Sequence, residues 1–176
     1  DTDAIYMKSG LCNDPDIVEW KLEVYPGLKE LVVGDDCLQY VSELVLSGFA
    51  RLESVAIGMR CFSSSFDGEM EVSGCGALKR VVVGDESFRG GRGWFVLREC
   101  CGIRELKIGN KSFPLYSCCM VEANESLVLF DVSCWSFVRS SLVLRDLEEL
   151  ECVRIGSGSF EKSLHSVIES VGWSVG

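Results

Sequence analysis

The sequence predicts a mainly β fold: a parallel β-solenoid of about six turns with two short strands per turn. Three observations predict it. A hexad of the form Leu/Ile-x-x-apolar-x-apolar begins at Leu28, Leu52, Leu78, Ile103, Leu127 and Leu150. The intervals are 24, 26, 25, 24 and 23 residues, the spacing of units that bury their apolar sides only against their neighbours. A second apolar set and a small-plus-bulky pair stand at fixed distances around each hexad.

Each element follows from position, counting the first residue of the hexad as zero. The first strand of a turn carries apolar residues at −8 and −6: Trp20 and Leu22, Leu44 and Leu46, Met70 and Val72, Phe95 and Leu97, Cys119 and Val121, Leu142 and Leu144. A two-residue period is that of a strand with one buried face. Position −3 holds Tyr25, Phe49, Cys75, Cys100, Asn124 and Leu147, an inward column. The second strand carries +3 and +5: Leu31 and Val33, Val55 and Ile57, Val81 and Val83, Leu106 and Ile108, Phe130 and Val132, Val153 and Ile155. Position +6 is Gly34, Gly58, Gly84, Gly109, Ser133 and Gly156. Glycine there closes the strand at a corner that needs positive φ or has no room for a Cβ. Cys37, Cys61, Ser87, Ser112, Ser136 and Ser159 at +9 are small enough to tuck into that corner. Leu38, Phe62, Phe88, Phe113, Phe137 and Phe160 at +10 point inward as one stacked spine. Between +10 and the next −8 the length varies, which marks outward loops.

The whole chain, 1–176, reads as one repeat domain: 1–16 a lead-in or partial turn, 17–160 the repeats, 161–176 a cap or frayed turn. Leu164, Ile168 and Val171 fall at helical spacing and predict a short capping helix.

The Ile-Gly-x-x-Ser-Phe type element resembles the leucine-rich repeat superfamily, in particular its BspA-like branch. It is carried by Ile57-Gly58 with Phe62, Val83-Gly84 with Ser87-Phe88, Ile108-Gly109 with Ser112-Phe113, and Ile155-Gly156 with Ser159-Phe160. Cys75-Gly76-Ala77-Leu78 and Cys100-Cys101-Gly102-Ile103 are similar to the element that follows in that branch. The resemblance spans roughly residues 17–160, and departs from the common pattern in lacking an Asn ladder, since only Asn124 occupies the −3 column. It implies surface adhesion or protein recognition, an extracellular or cell-surface location, and no catalytic residues.

Composition sets the bounds. The 176 residues are 47% hydrophobic, enough for a sizeable core. No apolar run approaches the length of a membrane-spanning helix, so no span is expected. A net charge of −10 argues against a nucleic-acid backbone as partner. The chain opens Asp1-Thr2-Asp3, compatible with a removed leader or a fragment. The ten cysteines suggest a disulfide scaffold, but Cys37 and Cys61 share the +9 column with serines, and Cys75 and Cys100 share an inward column. Buried thiols and bridges between adjacent turns both remain open, and the compartment with them. Asn110-Lys111-Ser112 and Asn124-Glu125-Ser126 are glycosylation triplets, the second in an inward column.

The chemistry-bearing residues do not assemble a reaction. His165 is the only histidine, with no acid fixed to it by the repeat. No Cys-x-x-Cys occurs, and the vicinal pairs Cys100-Cys101 and Cys118-Cys119 put alternate side chains on opposite strand faces, so no metal and no cofactor is expected. Arg89-Gly90-Gly91-Arg92-Gly93 fits a flexible outward loop better than an RNA-binding box in so acidic a chain. In Gly156-Ser157-Gly158-Ser159 the +6 and +9 columns already account for Gly156 and Ser159. Asp35-Asp36 and Asp85-Glu86 read as turn chemistry, with an acidic ridge for a basic partner or divalent cation as the alternative.

The outward strand columns are more informative. Position −7 reads Lys21, Val45, Glu71, Val96, Met120, Val143, and +4 reads Val32, Ala56, Val82, Lys107, Asp131, Arg154. Val suits any strand, yet rows of outward apolar residues are also what a partner covers. Trp135 stands at +8, either as an exposed binding aromatic or as a plug over Phe137. The candidate binding residues are therefore Val45, Val96, Met120, Val143, Val32, Val82 and Trp135. The expected function is a non-catalytic binding or adhesion module that recognises a protein or other macromolecule through a sheet face or loops. The alternative is a structural subunit of an assembly that covers the open ends of the solenoid.

Overall fold

In the computed structural model, residues 2–171 are described. Strands are the only regular elements among them: β1 (Ala4–Met7), β2 (Glu30–Val33), β3 (Glu43–Ser47), β4 (Ser54–Ile57), β5 (Asp67–Ser73), β6 (Arg80–Val83), β7 (Arg92–Arg98), β8 (Glu105–Ile108), β9 (Cys118–Glu122), β10 (Leu129–Val132), β11 (Ser141–Leu147), β12 (Cys152–Ile155) and β13 (Ser166–Val171). They form a seven-stranded sheet, β1-β2-β4-β6-β8-β10-β12, and a six-stranded sheet, β3-β5-β7-β9-β11-β13. Every pairing is parallel. The fold is a parallel β-solenoid of about seven turns, as the two apolar alternations require.

The register is that of the columns: Leu31 pairs with Val55, Val55 with Val81, Val81 with Leu106, and Leu106 with Phe130. Both sheets turn their even-period apolar sides into a single core containing Leu46, Val72, Leu97, Val121 and Leu144 from one sheet and Val33, Ile57, Val83, Ile108 and Val132 from the other. The spine forms between them. Phe62, Phe88, Phe113 and Phe137 stack almost flat, with centroids 4.6, 4.6 and 4.8 Å apart and interplanar angles of 6°, 11° and 2°. Phe160 continues the stack at 5.5 Å. Tyr116, placed by the sequence in an outward loop, is instead buried edge-on against Phe113 at 4.9 Å and closes the loop side of the core.

Two ends depart from expectation. Residues 4–7 contribute a strand, so the partial turn ahead of the first hexad extends the seven-stranded sheet. Trp20 and Leu22 do not form the predicted strand: Leu22 is buried, but the segment beside β3 has no regular structure. At the other end Ser166–Val171 is β13, paired with β11 through Leu144 and Ile168, where helical spacing predicts a cap. A vacant sheet edge offers backbone partners that an isolated helical turn lacks.

The corners are left-handed. In turn after turn, +8 and +10 have positive φ, as at Arg60 (54°) and Phe62 (53°), Glu86 (59°) and Phe88 (54°), Lys111 (55°) and Phe113 (54°). A third such site follows the first strand, at Gly48 (70°), Gly74 (62°), Glu99 (55°), Ala123 (52°) and Asp146 (52°). The +6 glycines are required for space rather than for φ. A Cβ on Gly84 would lie 2.6 Å from the Gly58 carbonyl carbon of the preceding turn.

All ten cysteines are free thiols, and Cys37, Cys61, Cys75, Cys100 and Cys119 are buried. Burial pushes the Cys61 thiol up to about 11. The core-thiol reading holds for both shared columns.

Three outcomes follow from this packing. Phe113→Ala removes an aromatic stacked on both sides and should cost about 3–5 kcal/mol in chemical denaturation. Glu99→Gly should stabilise the chain by about 0.5–1 kcal/mol, because relief of a left-handed side chain outweighs the added freedom of the unfolded chain. Titration with a thiol reagent should label exposed Cys101 rapidly in the native protein and the five buried thiols only after denaturant is added.

Candidate functional site

Strand alternation decides which residues face out. On the six-stranded sheet, β7 presents Trp94 and Val96, β9 presents Cys118 and Met120, and β11 presents Val143. The register sets Trp94 beside Cys118, Val96 beside Met120, and Met120 beside Val143, with Val167 next in the row. Trp94 is 48% exposed, and Val96, Met120 and Val143 are partly exposed. The result is a contiguous apolar patch on the outer face. Charge borders it: Arg98 of the neighbouring row pairs with Glu71, which ends the apolar row, at 3.1 Å, and Arg145 pairs with Glu122 at 3.7 Å and Glu169 at 3.1 Å. Burial and the nearby Glu122 raise the Cys118 thiol, which favours its neutral, apolar form.

The predicted residues are therefore not all brought together. Val96, Met120 and Val143 share the patch. Val45 faces outward in the same row, but Glu71 separates it from Val96. Val32 and Val82 lie on the seven-stranded sheet with Ala56 between them. That row runs on into Lys107, Asp131 and Arg154, with Arg154 paired to Asp131 at 3.5 Å, so no comparable apolar area forms. Trp135 sits left-handed at φ 60° and about half exposed, its ring lying over Gly158 of the next turn. It thus shields a neighbouring corner while showing one face to solvent.

Trp94 and Phe66 escaped the sequence reading. Trp94, at −9, falls by spacing in the variable outward loop, but β7 begins two residues earlier, at Arg92, and turns the indole outward. Phe66 lies just before β5 and is 89% exposed. The signal available for Trp94 was its parity with Val96, two residues on.

A shallow groove runs along this margin of the six-stranded sheet. Its part beside Trp94 encloses about 280 Å3, lined by Ser42, Glu43, Asp67, Glu69, Arg92 and Trp94. Burial raises the Glu69 carboxyl, helped by the adjacent Glu71 and Glu43, although the Trp94 indole opposes the shift. The groove continues into a gap of about 350 Å3 between β3 and the irregular segment of the first turn, lined by Val18, Glu19, Trp20, Lys21, Glu43 and Val45 among others.

The remaining motifs resolve into packing. Asp35 Oδ1 accepts the Met59 amide at 2.8 Å, and Asp85 Oδ1 accepts the Asn110 amide at 2.7 Å. Asp36 makes a two-pronged contact with Arg60, at 2.6 Å for each pair, which lowers its carboxyl. These are turn-to-turn bonds, the first of the two readings of the acidic pairs. A Cβ on Gly93 would fall onto the Gly68 carbonyl, so the glycine-rich run serves close backbone approach. Asn124 is fully buried, donating to the Leu97 carbonyl at 2.9 Å and accepting the Cys100 amide at 2.9 Å, which leaves its triplet no room for a glycan in the folded chain. His165 is exposed, with the Ser163 hydroxyl on its own carbonyl. Among the described residues no group of three or more His, Cys, Asp or Glu is placed to hold a metal ion. No helix among them is long and apolar enough to cross a membrane. No family model, no curated protein and no solved structure matches this chain.

Proposed function

We propose that the chain is a non-catalytic binding module whose macromolecular partner covers the outer face of the six-stranded sheet. The observation that carries this is the patch of Trp94, Val96, Cys118, Met120 and Val143. Stacking in the solenoid gives these outward side chains little to bury against, and a partner would bury them together, with Trp94 as anchor. The bordering ion pairs would supply a polar rim. The resemblance to BspA-like repeats supports protein recognition or adhesion, and a cell-surface setting, for this face.

A second reading, a structural unit of a larger assembly, is favoured by the last described turn. Ile155 and Ile168 occupy inward columns yet are 44% and 46% exposed, so an added turn or neighbour would complete their packing.

The double substitution Val96→Lys and Met120→Lys tests the first reading. Both residues face outward, so stability should fall by no more than about 1 kcal/mol. Cross-linking in the native source, with a photoreactive group at Ser141, should yield a specific adduct with the parent chain and lose it with the double variant. An adduct that persists unchanged would move the site to the loops around 89–94. One that forms only from a reagent beside Ile155 would select the assembly reading.

A further inference from the structure

The two sheets do not begin together. β1 adds to β2, whereas the first turn lays no strand against β3. Elsewhere in this sheet, residues equivalent to those of β3 donate to the turn before: Glu69 N–H bonds the Ser42 carbonyl at 3.0 Å, and Ser141 N–H bonds the Ser117 carbonyl at 2.9 Å. The corresponding donors in β3 are Glu43, Val45 and Ser47, which point at the first turn. Among the described residues only Ser42 N–H reaches across, to the Val18 carbonyl at 3.3 Å, and the chain then diverges. Beyond that bond lies the gap of about 350 Å3, so β3 has an open edge with a space beside it.

The surroundings of that edge specify charge. Glu19, Glu23 and Glu43 line the gap, and Glu43, Asp67 and Glu69 line the connected groove, where Arg92 is the one cation against three carboxylates. Lys21 is paired with Glu19 at 3.3 Å. Glu23, Glu43, Asp67 and Glu69 make no ion pair among the described residues. Trp20 lines the gap and half-exposed Trp94 lines the groove, and indole rings attract cationic side chains. An open strand edge asks for main-chain donors and acceptors, and its unpaired carboxylates ask for positive charge.

We infer that the outer edge of β3 takes up an extended, lysine- or arginine-rich segment of another protein, which adds to the six-stranded sheet as a strand and sets its cationic side chains against Glu43, Glu69 and the two tryptophans. The site shares Trp94 with the outer patch but uses neither Val96 nor Met120, so Val96→Lys with Met120→Lys should leave this binding intact.

The test uses a labelled hexapeptide of alternating lysine and valine, a matched glutamate–valine peptide, and a lysine–valine peptide N-methylated at alternate residues. The lysine peptide should bind saturably and weaken as salt rises. The glutamate and N-methylated peptides should bind at least tenfold more weakly. Val45→Pro deletes an edge donor that the fold itself does not use, so the variant should melt like the parent and lose at least tenfold in affinity. Glu43→Gln with Glu69→Gln should flatten the salt dependence. In the parent chain, amide exchange at Glu43, Val45 and Ser47 should slow when the lysine peptide is added, and this readout carries the test if Val45→Pro fails to fold. Equal binding of the N-methylated peptide, equal binding of the glutamate peptide, or protection confined to other strands would overturn the inference.

Discussion

The interaction on which this fold depends is the bond from each +9 side chain to the corner of the turn before it. Ser112 Oγ accepts the Ser87 amide at 3.2 Å and donates to the Gly84 carbonyl at 2.9 Å. Ser136 does the same for Ser112 and Gly109, at 3.1 and 2.7 Å, and Ser87 for Cys61 and Gly58, at 3.1 and 2.9 Å. A corner cannot continue a sheet ladder, yet Ser87, Ser112 and Ser136 are fully buried in theirs, where an unpaired polar group costs about 1–3 kcal/mol. One hydroxyl per turn satisfies a donor and an acceptor at once. Cys37 and Cys61 fill the column with a weaker donor, Cys61 Sγ meeting the Gly34 carbonyl at 3.1 Å. Asn124 performs the same double service once at the opposite corner, where Cys75 and Cys100 otherwise stand. The missing Asn ladder is thus replaced by a serine ladder on the other side of the coil.

The strain of the corners and the stacking of the spine are two sides of one arrangement. Left-handed φ at +8 and +10 turns the chain sharply and aims the +10 side chain inward. Each non-glycine residue held there costs about 1–2 kcal/mol. A fully buried phenylalanine returns about 1.5–3 kcal/mol, with further gain from stacked neighbours. The inward +10 residue can therefore be aromatic without help from glycine, while the outward +8 residue gains nothing by its side chain unless it reaches a neighbouring turn. Arg60 reaches Asp36, and Trp135 covers Gly158.

Much of this was legible because a repeat states each column several times. The hexads gave the second strand, the +9 and +10 columns gave corner and spine, and the alternation gave the outward rows. Three things were not legible, each for a physical reason. Apolar alternation at Trp20 and Leu22 reports which side faces the core, but a strand also needs a paired backbone, and here Leu22 and part of Trp20 dock without one. Leu164, Ile168 and Val171 stand at helical spacing, but Ile168 and Val171 also fit the register of β11, and sheet pairing wins where a complete edge is on offer. Trp94 and Tyr116 lie in segments whose length varies, so no column marks one as outward and the other as buried.

A solenoid spends its inward columns on its own core, so specificity can lie only on faces, loops and edges. The faces differ here because outward residues are free to vary: one sheet mixes charges along its row, while the other gathers Trp94, Val96, Met120 and Val143. The edges differ for a stricter reason. A coil with two strands per turn closes both sheets together only if it begins and ends at equivalent points. Among the described residues seven strands form one sheet and six the other. At the first turn that mismatch falls between β1, which is paired, and β3, which is not. The outer peptide groups of β3 must then be met by water, by the displaced segment around Trp20, or by another chain. The displaced segment already uses Leu22 to seal the core beneath it, and in that position its backbone bonds β3 only at Ser42, leaving the rest of the edge open.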